Sequence, residues 1–190
     1  MSQLIYSEHL TQIRLDNNNN IIQKIVELGD NDEISSMMSE LFFLKSLEKC
    51  DGFPKVIKAY GLPLERIPVF VMPKFVIEMT NVGHPIEYDG NVNESRRILG
   101  EICKLLYILH NNDIVHCDIK PQNIMIDSNR KISIIDFGHS HKLDPMTHRM
   151  GKSRMVEQTP TGTAPESLSG SVLPRTEKID IWSLGCLYYE

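Results

Sequence analysis

Apolar positions recur along this chain with two periods, and the change of period marks the elements. Leu4-Ile5-Tyr6 and Ile13-Arg14-Leu15 come first, and Ile21-Ile22-Gln23-Lys24-Ile25-Val26 follows. These β-rich runs lie on either side of Asn17-Asn18-Asn19-Asn20, a residue type that tolerates turn geometry, so a hairpin of strands is expected. Gly29-Asp30-Asn31-Asp32 then offers capping side chains. Behind it Ile34, Met37, Met38, Leu41 and Leu44 recur at helical spacing and predict a helix over about 33 to 47.

Residues 54 to 75 alternate turns with β-rich pieces, notably Ile67-Pro68-Val69-Phe70-Val71-Met72. A second helix is predicted over about 94 to 110, with Ile98, Ile102, Leu105, Leu106 and Leu109 as its apolar stripe. Two short strands follow, Ile124-Met125-Ile126 and Ile132-Ser133-Ile134-Ile135, flanking the turn Asp127-Ser128-Asn129-Arg130. A polar segment runs from 139 to 174, and an apolar helix is expected over 179 to 189. Gly83, Pro85 and Gly90 punctuate the chain and suggest a boundary there. The pattern is α+β, strand-rich first and helix-led second.

Composition narrows the class. The 190 residues are 41% hydrophobic and 24% charged, which suits a packed core rather than disorder. The net charge of -5 is spread along the chain, with no basic block to follow a phosphate backbone, so no nucleic-acid partner is expected. No apolar run reaches the roughly 20 residues needed to span a bilayer, so no membrane partner is expected. Met1-Ser2-Gln3-Leu4-Ile5 lacks the features of a signal peptide. Cys50, Cys103, Cys117 and Cys186 are scattered without CxxC spacing, which points to reduced thiols and a cytoplasmic setting.

Asp118, Lys120, Asn123 and Asp136 fall on two short loops around a hairpin. Two carboxylates, an amide and an ammonium together suit a divalent metal bound to phosphate, because magnesium takes hard oxygen ligands. An aspartate that holds no metal can orient a hydroxyl and accept its proton. A lysine can neutralise charge on a transferring group. Any one of these residues alone reads as a turn or surface residue; their order and spacing together do not.

These residues sit in His116-Cys117-Asp118-Ile119-Lys120-Pro121-Gln122-Asn123, followed by Asp136-Phe137-Gly138, Ala164-Pro165-Glu166 and Asp180-Ile181-Trp182-Ser183-Leu184-Gly185-Cys186. In that order they resemble the HRDLKPEN, DFG, APE and DIWSLGC segments of eukaryotic-type serine/threonine protein kinases. The resemblance implies a two-lobed fold, with a small β-rich lobe carrying helix C over 1 to 83 and a helical lobe over 84 to 190. It implies ATP and Mg2+ as cofactors and a protein as substrate. Asp118 would be the catalytic base and Lys120 the contact to the γ-phosphate, with Asn123 and Asp136 holding magnesium. His116 and Phe137 would stack, and Asp180 would tie the catalytic loop from below.

Upstream, Ile21-Ile22-Gln23-Lys24 lies where the family has VAIK, so Lys24 would pair with the α- and β-phosphates and Glu40 would anchor it. The hinge is expected at Met72-Pro73-Lys74-Phe75. Met72 would be the gatekeeper there, with adenine bonded to the backbone of Pro73 and Phe75. Ile22 and Met125 would sandwich the ring. Lys120 and Thr159-Pro160 favour serine/threonine over tyrosine chemistry.

Three departures from the family stand out. No glycine precedes Gly29, so the glycine-rich phosphate loop is missing, and the chain is expected to begin inside the second strand of that lobe. The sequence ends at Glu190, in the last predicted helix, which would leave Trp182, Leu184 and Leu187 partly exposed and open to a protein partner. Cys117 replaces the arginine that grips a phosphorylated activation loop, although Ser140, Thr147, Ser153, Thr159, Thr161 and Thr163 are available there. The leading expectation is a protein serine/threonine kinase; the alternative is a weak or inactive kinase-like binding module.

Overall fold

The four-asparagine patch closes through its own side chains. Asp16 accepts the Asn18 backbone N–H at 3.1 Å and the Asn19 amide at 2.8 Å, and Asn20 adopts φ 54°, a left-handed conformation that asparagine tolerates. Turns of this kind, with the β-rich runs between them, build the first half of the computed structural model. It describes residues 2–8, 11–27, 31–61, 74–87, 90–144, 146–147, 162–167 and 176–189. The chain divides into two units, Met1–Val82 and Gly83–Glu190.

The first unit is a five-stranded antiparallel sheet with one helix. Its strands are β1 (Ser2–Glu8), β2 (Thr11–Asp16), β3 (Ile21–Glu27), β4 (Val56–Gly61) and β5 (Lys74–Thr80), in the order β1-β2-β3-β5-β4. The expected hairpin is thus a three-stranded meander, and the chain does not begin inside a second strand. Leu4 pairs with Arg14 and Glu8 with Thr11, which leaves two residues to join β1 and β2. The runs around Ile5 and Ile13 each satisfy the other's backbone.

Helix α1 (Asn31–Ser46) packs on β4. Met37, Glu40, Phe43, Leu44 and Leu47 are buried. Ile34 and Met38, expected on the inner face, are exposed together with Phe42. Positions 34, 38 and 42 are four apart and share a stripe. The buried side is set by 37, 40, 44 and 47, so the glutamate takes a place that hydrophobicity alone would give to an apolar residue.

The second unit holds β6 (His84–Pro85), α2 (Val92–Asn111), β7 (Ile114–Val115), β8 (Ile124–Ile126), β9 (Ile132–Ile134), β10 (His141–Lys142) and α3 (Lys178–Tyr189). Asn91 caps α2 by accepting the Asn93 and Glu94 N–H groups. The expected stripe Ile98, Ile102, Leu105, Leu106 and Leu109 is buried throughout. On α3 only part of the expected exposure is seen. Trp182 is exposed, with Ile181 and Tyr188, but Leu184 and Leu187 are buried. Among the described residues no helix is long and apolar enough to cross a membrane.

Two local devices hold the β8–β9 hairpin. Gly83 lies against it at φ +110°, and a Cβ there would sit 2.0 Å from the Ile126 carbonyl oxygen. At the hairpin tip, Glu94 on α2 pairs with both Arg97 and Arg130, and Arg97 also donates to the Arg130 carbonyl at 3.1 Å. The Arg97 hydrogen bond, aided by the charges of both arginines, holds the Glu94 carboxyl below the ordinary carboxylate range.

Gly83→Ala adds backbone strain to a steric clash and is expected to cost about 3 kcal/mol, read as a lower urea midpoint at unchanged slope. Glu94→Gln should lower the melting temperature at neutral pH, and less so in high salt. A depressed folded pKa contributes stability above the unfolded value of about 4.3 and loses it as pH falls through the folded value. The two melting curves should therefore converge in acid; a gap that is constant from pH 7 to below pH 3 or so would contradict the ion-pair account.

Candidate active site

The site in the second unit is organised by one carboxylate. Asp180, in the first turn of α3, is fully buried. Its Oδ2 accepts the His116 backbone N–H at 2.9 Å, and its Oδ1 accepts the Cys117 N–H at 2.8 Å. His110, in the last turn of α2, places its Nε2 2.9 Å from Oδ2. The loop needs this support. Cys117 has φ 68°, which costs a non-glycine residue on the order of 1–3 kcal/mol. Two hydrogen bonds to a charged acceptor, about 1.5–3 kcal/mol each, outweigh that strain. The Asp180 tie expected from the sequence is present.

The side chains of the strained loop divide inward and outward. Cys117 is buried with Val115, Leu143, Ala164 and Ile179, so this position contributes packing and no charge. The His116 ring meets Phe137 edge to face, with centroids 4.9 Å apart. Its Nε2 donates to the Ile135 carbonyl at 3.0 Å, and its Nδ1 accepts the Asp118 N–H at 3.3 Å. Those partners define the Nε2–H tautomer. The expected pairing of His116 with Phe137 is therefore an edge contact, joined to hydrogen bonds along the loop.

Asp118, Lys120 and Asn123 converge. Asn123 donates from Nδ2 to the Asp118 carbonyl and to Asp118 Oδ2, both at 2.8 Å. Lys120 Nζ lies 2.8 Å from the same Oδ2. Asp118 is almost wholly buried, while the Lys120 side chain keeps 30% of its exposure. With both amide hydrogens directed at Asp118, the Asn123 side chain presents its oxygen as the atom suited to a hard cation. Its own carbonyl accepts the Ile135 N–H at 3.0 Å, which brings the chain entering Asp136 alongside. Asp136 is half-buried and takes φ 65°, a second strained backbone in the site. Met125 lies on β8 opposite Ser133 and is half-buried.

The chain after Phe137 is strapped back to this loop. His141 and Lys142 pair with Val115 and Ile114. Ser140 is buried and donates its hydroxyl to the His116 carbonyl at 3.2 Å. Ser140 is therefore removed from the set of candidate phosphorylated hydroxyls, since its oxygen is enclosed. Ser183 donates toward the Gly162 carbonyl at 3.0 Å, which holds the start of the Ala164-Pro165-Glu166 segment to α3.

In the first unit, Lys24 on β3 and Glu40 on α1 form an ion pair of 2.6 Å, with Glu40 buried and Lys24 15% exposed. Ile22 shares the strand face of Lys24, two residues away. The hinge expectation changes. Met72 and Pro73 lie outside the described residues. Phe75 stands at the start of β5, opposite Val26 and Gly61 in the sheet. The chain passes to the second unit only after the other end of that strand, beyond Thr80. Phe75 therefore belongs to a central strand and not to a linker; the β-rich pieces before it disguised where the strand began. His110 was missed as well. Its signal was position alone, a histidine closing the α2 stripe next to Leu109.

With this geometry in place, comparison with known proteins agrees at the level of family. A protein kinase domain model matches residues 6–190. The chain is 33% identical over 155 residues to the serine/threonine-protein kinase fused of Drosophila melanogaster, covering 77% of this chain and 18% of that protein. It is 32% identical over 162 residues to mitogen-activated protein kinase kinase kinase 3 of Mus musculus, covering 83% and 25%. It is 28% identical over 142 residues to the serine/threonine-protein kinase PknB of Mycolicibacterium smegmatis, covering 72% and 22%. The chain thus spans a quarter or less of the length of each of these relatives. On its fold, its loop geometry and these matches, the chain belongs to the protein kinase family.

Proposed function

We propose that this chain transfers the γ-phosphoryl group of ATP to a serine or threonine hydroxyl of a protein. The observation that carries the proposal is the convergence of Lys120 and Asn123 on Asp118 at 2.8 Å, on a loop locked from behind by Asp180. Asp118 orients the acceptor hydroxyl and takes its proton as the new oxygen–phosphorus bond forms. The bond from the γ-phosphorus to the β-phosphate oxygen breaks, and ADP departs. Lys120 neutralises charge on the group in transit. Asn123 and Asp136 would supply the oxygens that hold magnesium. Magnesium would screen the β- and γ-phosphate charge. Lys24, fixed by Glu40, contacts the α- and β-phosphates. The adenine-binding backbone is assigned to the chain leaving β5 and not to Phe75. The serine/threonine preference rests on Lys120 and on the similarity to serine/threonine-protein kinases.

A second reading, a kinase-like binding module, is favoured by one feature. Only two residues connect β1 to β2, and no glycine precedes Gly29. Backbone donors that would cover the phosphates are few there. Each lost hydrogen bond to a charged phosphate weakens binding by about 1.5–3 kcal/mol, roughly tenfold or more.

One paired experiment separates the readings. Thermal stabilisation by Mg-ATP and phosphate transfer to a generic basic protein are measured on the chain and on Asp136→Asn. The kinase reading predicts stabilisation of at least a few degrees and transfer, both lost in the variant. Equal transfer by the chain and the variant would sink the assignment. Stabilisation without transfer would establish the binding module instead.

The buried Cys117 adds a regulatory expectation, since it cannot grip a phosphate. Replacing Thr147, Ser153, Thr159, Thr161 and Thr163 together by alanine should change the rate by no more than about twofold. A collapse of activity would refute phosphorylation-independent action. Ser140 is left intact in that test because its hydroxyl is structural.

A further inference from the structure

We infer that Asn20 and Asn81 are positioning residues for nucleotide binding: together they fix the backbone that leaves β5, to which the adenine contacts are assigned. The inference rests on the phosphotransfer reading above. It begins from two bonds at the end of the sheet. The ladder of β3 with β5 closes at Ile21 opposite Thr80. One position further, Asn81 donates its backbone N–H to the Asn20 carbonyl at 3.3 Å and its side-chain amide to Asn20 Oδ1 at 2.9 Å. Residues 61 positions apart are thus joined by a backbone rung and a side-chain rung at the same place.

The ladder alone would not supply this junction. Asn20 has φ 54°, so the chain departs from extended geometry just before β3 begins. Glycine, asparagine and aspartate take that conformation readily, and of these only the last two bring a side-chain acceptor. The turn is braced from behind by Asp16, which accepts the Asn18 N–H and the Asn19 amide. The four-asparagine patch is therefore a stiffened turn that presents Asn20 Oδ1 to the chain leaving β5.

The end of β5 is held on its other side as well. Thr80 donates its N–H to the Lys55 carbonyl at 2.9 Å, and its Oγ1 accepts the Lys55 N–H at 2.9 Å. Lys55 thus fixes Thr80, and Asn20 fixes Asn81. The N–H groups of both residues are spent within the sheet, so the donors offered to adenine lie in the chain that follows, and the Asn81 peptide sets their direction. Asn20 is exposed, and an exposed hydrogen bond adds little to global stability. Its loss should be felt locally, where the nucleotide binds, and not in the folding of the sheet.

Three variants of the chain test this. Asn20→Gly suits φ 54° and removes the acceptor, Asn20→Asp keeps the acceptor, and Asn81→Asp replaces the donating amide with a second acceptor. Backbone amide exchange is followed by NMR at Asn81, with the middles of β3 and α1 as internal references. In Asn20→Gly and Asn81→Asp the Asn81 N–H should exchange about tenfold faster while the references hold, and Asn20→Asp should match the parent. In the transfer assay the same two variants should raise KM for ATP about fivefold with kcat within about twofold, and combining them should add little to either alone.

Unchanged exchange at Asn81 in Asn20→Gly would overturn the inference. So would acceleration throughout the first unit, which marks loss of the sheet, an unchanged KM for ATP, or an Asn20→Asp variant as impaired as Asn20→Gly. If the parent chain transfers no phosphate, the phosphotransfer reading fails by itself, and Kd for Mg-ADP from calorimetry replaces KM. A rise of about fivefold in Asn20→Gly and Asn81→Asp then still supports the clamp. Equal Kd values, or no binding of the nucleotide by the parent, overturn it.

Discussion

The Asp180 carboxylate sits at the start of α3 and holds the backbone of a loop that would not otherwise keep its shape. A non-glycine residue at φ 68° is costly, and here it lies directly before Asp118, the proposed catalytic aspartate. Burying a charge is costly too, unless it is well paired. Each problem answers the other. The carboxylate needs donors, and the strained loop presents two adjacent N–H groups with His110 beside them. The rest of the second unit can be understood as the means of bringing α2, α3 and this loop to one point. The α2 stripe packs the unit from within, the short ladder of β7 with β10 straps the following chain to the loop, and the Glu94 and Arg130 pair anchors the hairpin that ends near Asp136.

The first unit solves a smaller version of the same problem. Glu40 takes an inward position on α1 among Met37, Phe43 and Leu44, where a carboxylate alone would be strongly unfavourable. Lys24, from the middle of β3, meets it at 2.6 Å. A buried pair of this kind adds little net stability compared with an apolar pair of equal volume. The pair makes sense where the ammonium has a further task, and the proposed phosphate contact is one. In both units a buried acid fixes the direction of a group that the proposed chemistry uses.

Much of this was legible in the order of residues. The α2 stripe could be read from a period near 3.6, because every apolar position there faces the same interior. The β8 and β9 strands could be read from two isoleucine-rich runs around Asp127-Ser128-Asn129-Arg130. The site could be read because Asp118, Lys120 and Asn123 lie within six consecutive positions, so local geometry alone brings them close. Less could be read where partners are remote. Ile34 and Met38 fit the helical period yet face outward, since the period does not say which stripe meets the sheet. Phe75 looked like linker because the start of β5 is defined by its pairing with β3 and β4, which no local pattern encodes. Ser140 looked like an available hydroxyl until its bond to the His116 carbonyl enclosed it.

The sequence by itself determined the family, the α+β class and the identity of the chemical groups, because those depend on residue types at short, fixed separations. Tertiary structure decided how the groups are held. Cys117 faces an apolar cluster, Asp180 reaches back 63 positions to the Cys117 amide, and His110 meets Asp180 across 70. Those contacts join the last turn of one helix to the first turn of another. They exist only once both helices have packed, since side-chain hydrogen bonds between distant segments are selected by packing and leave no period in the chain.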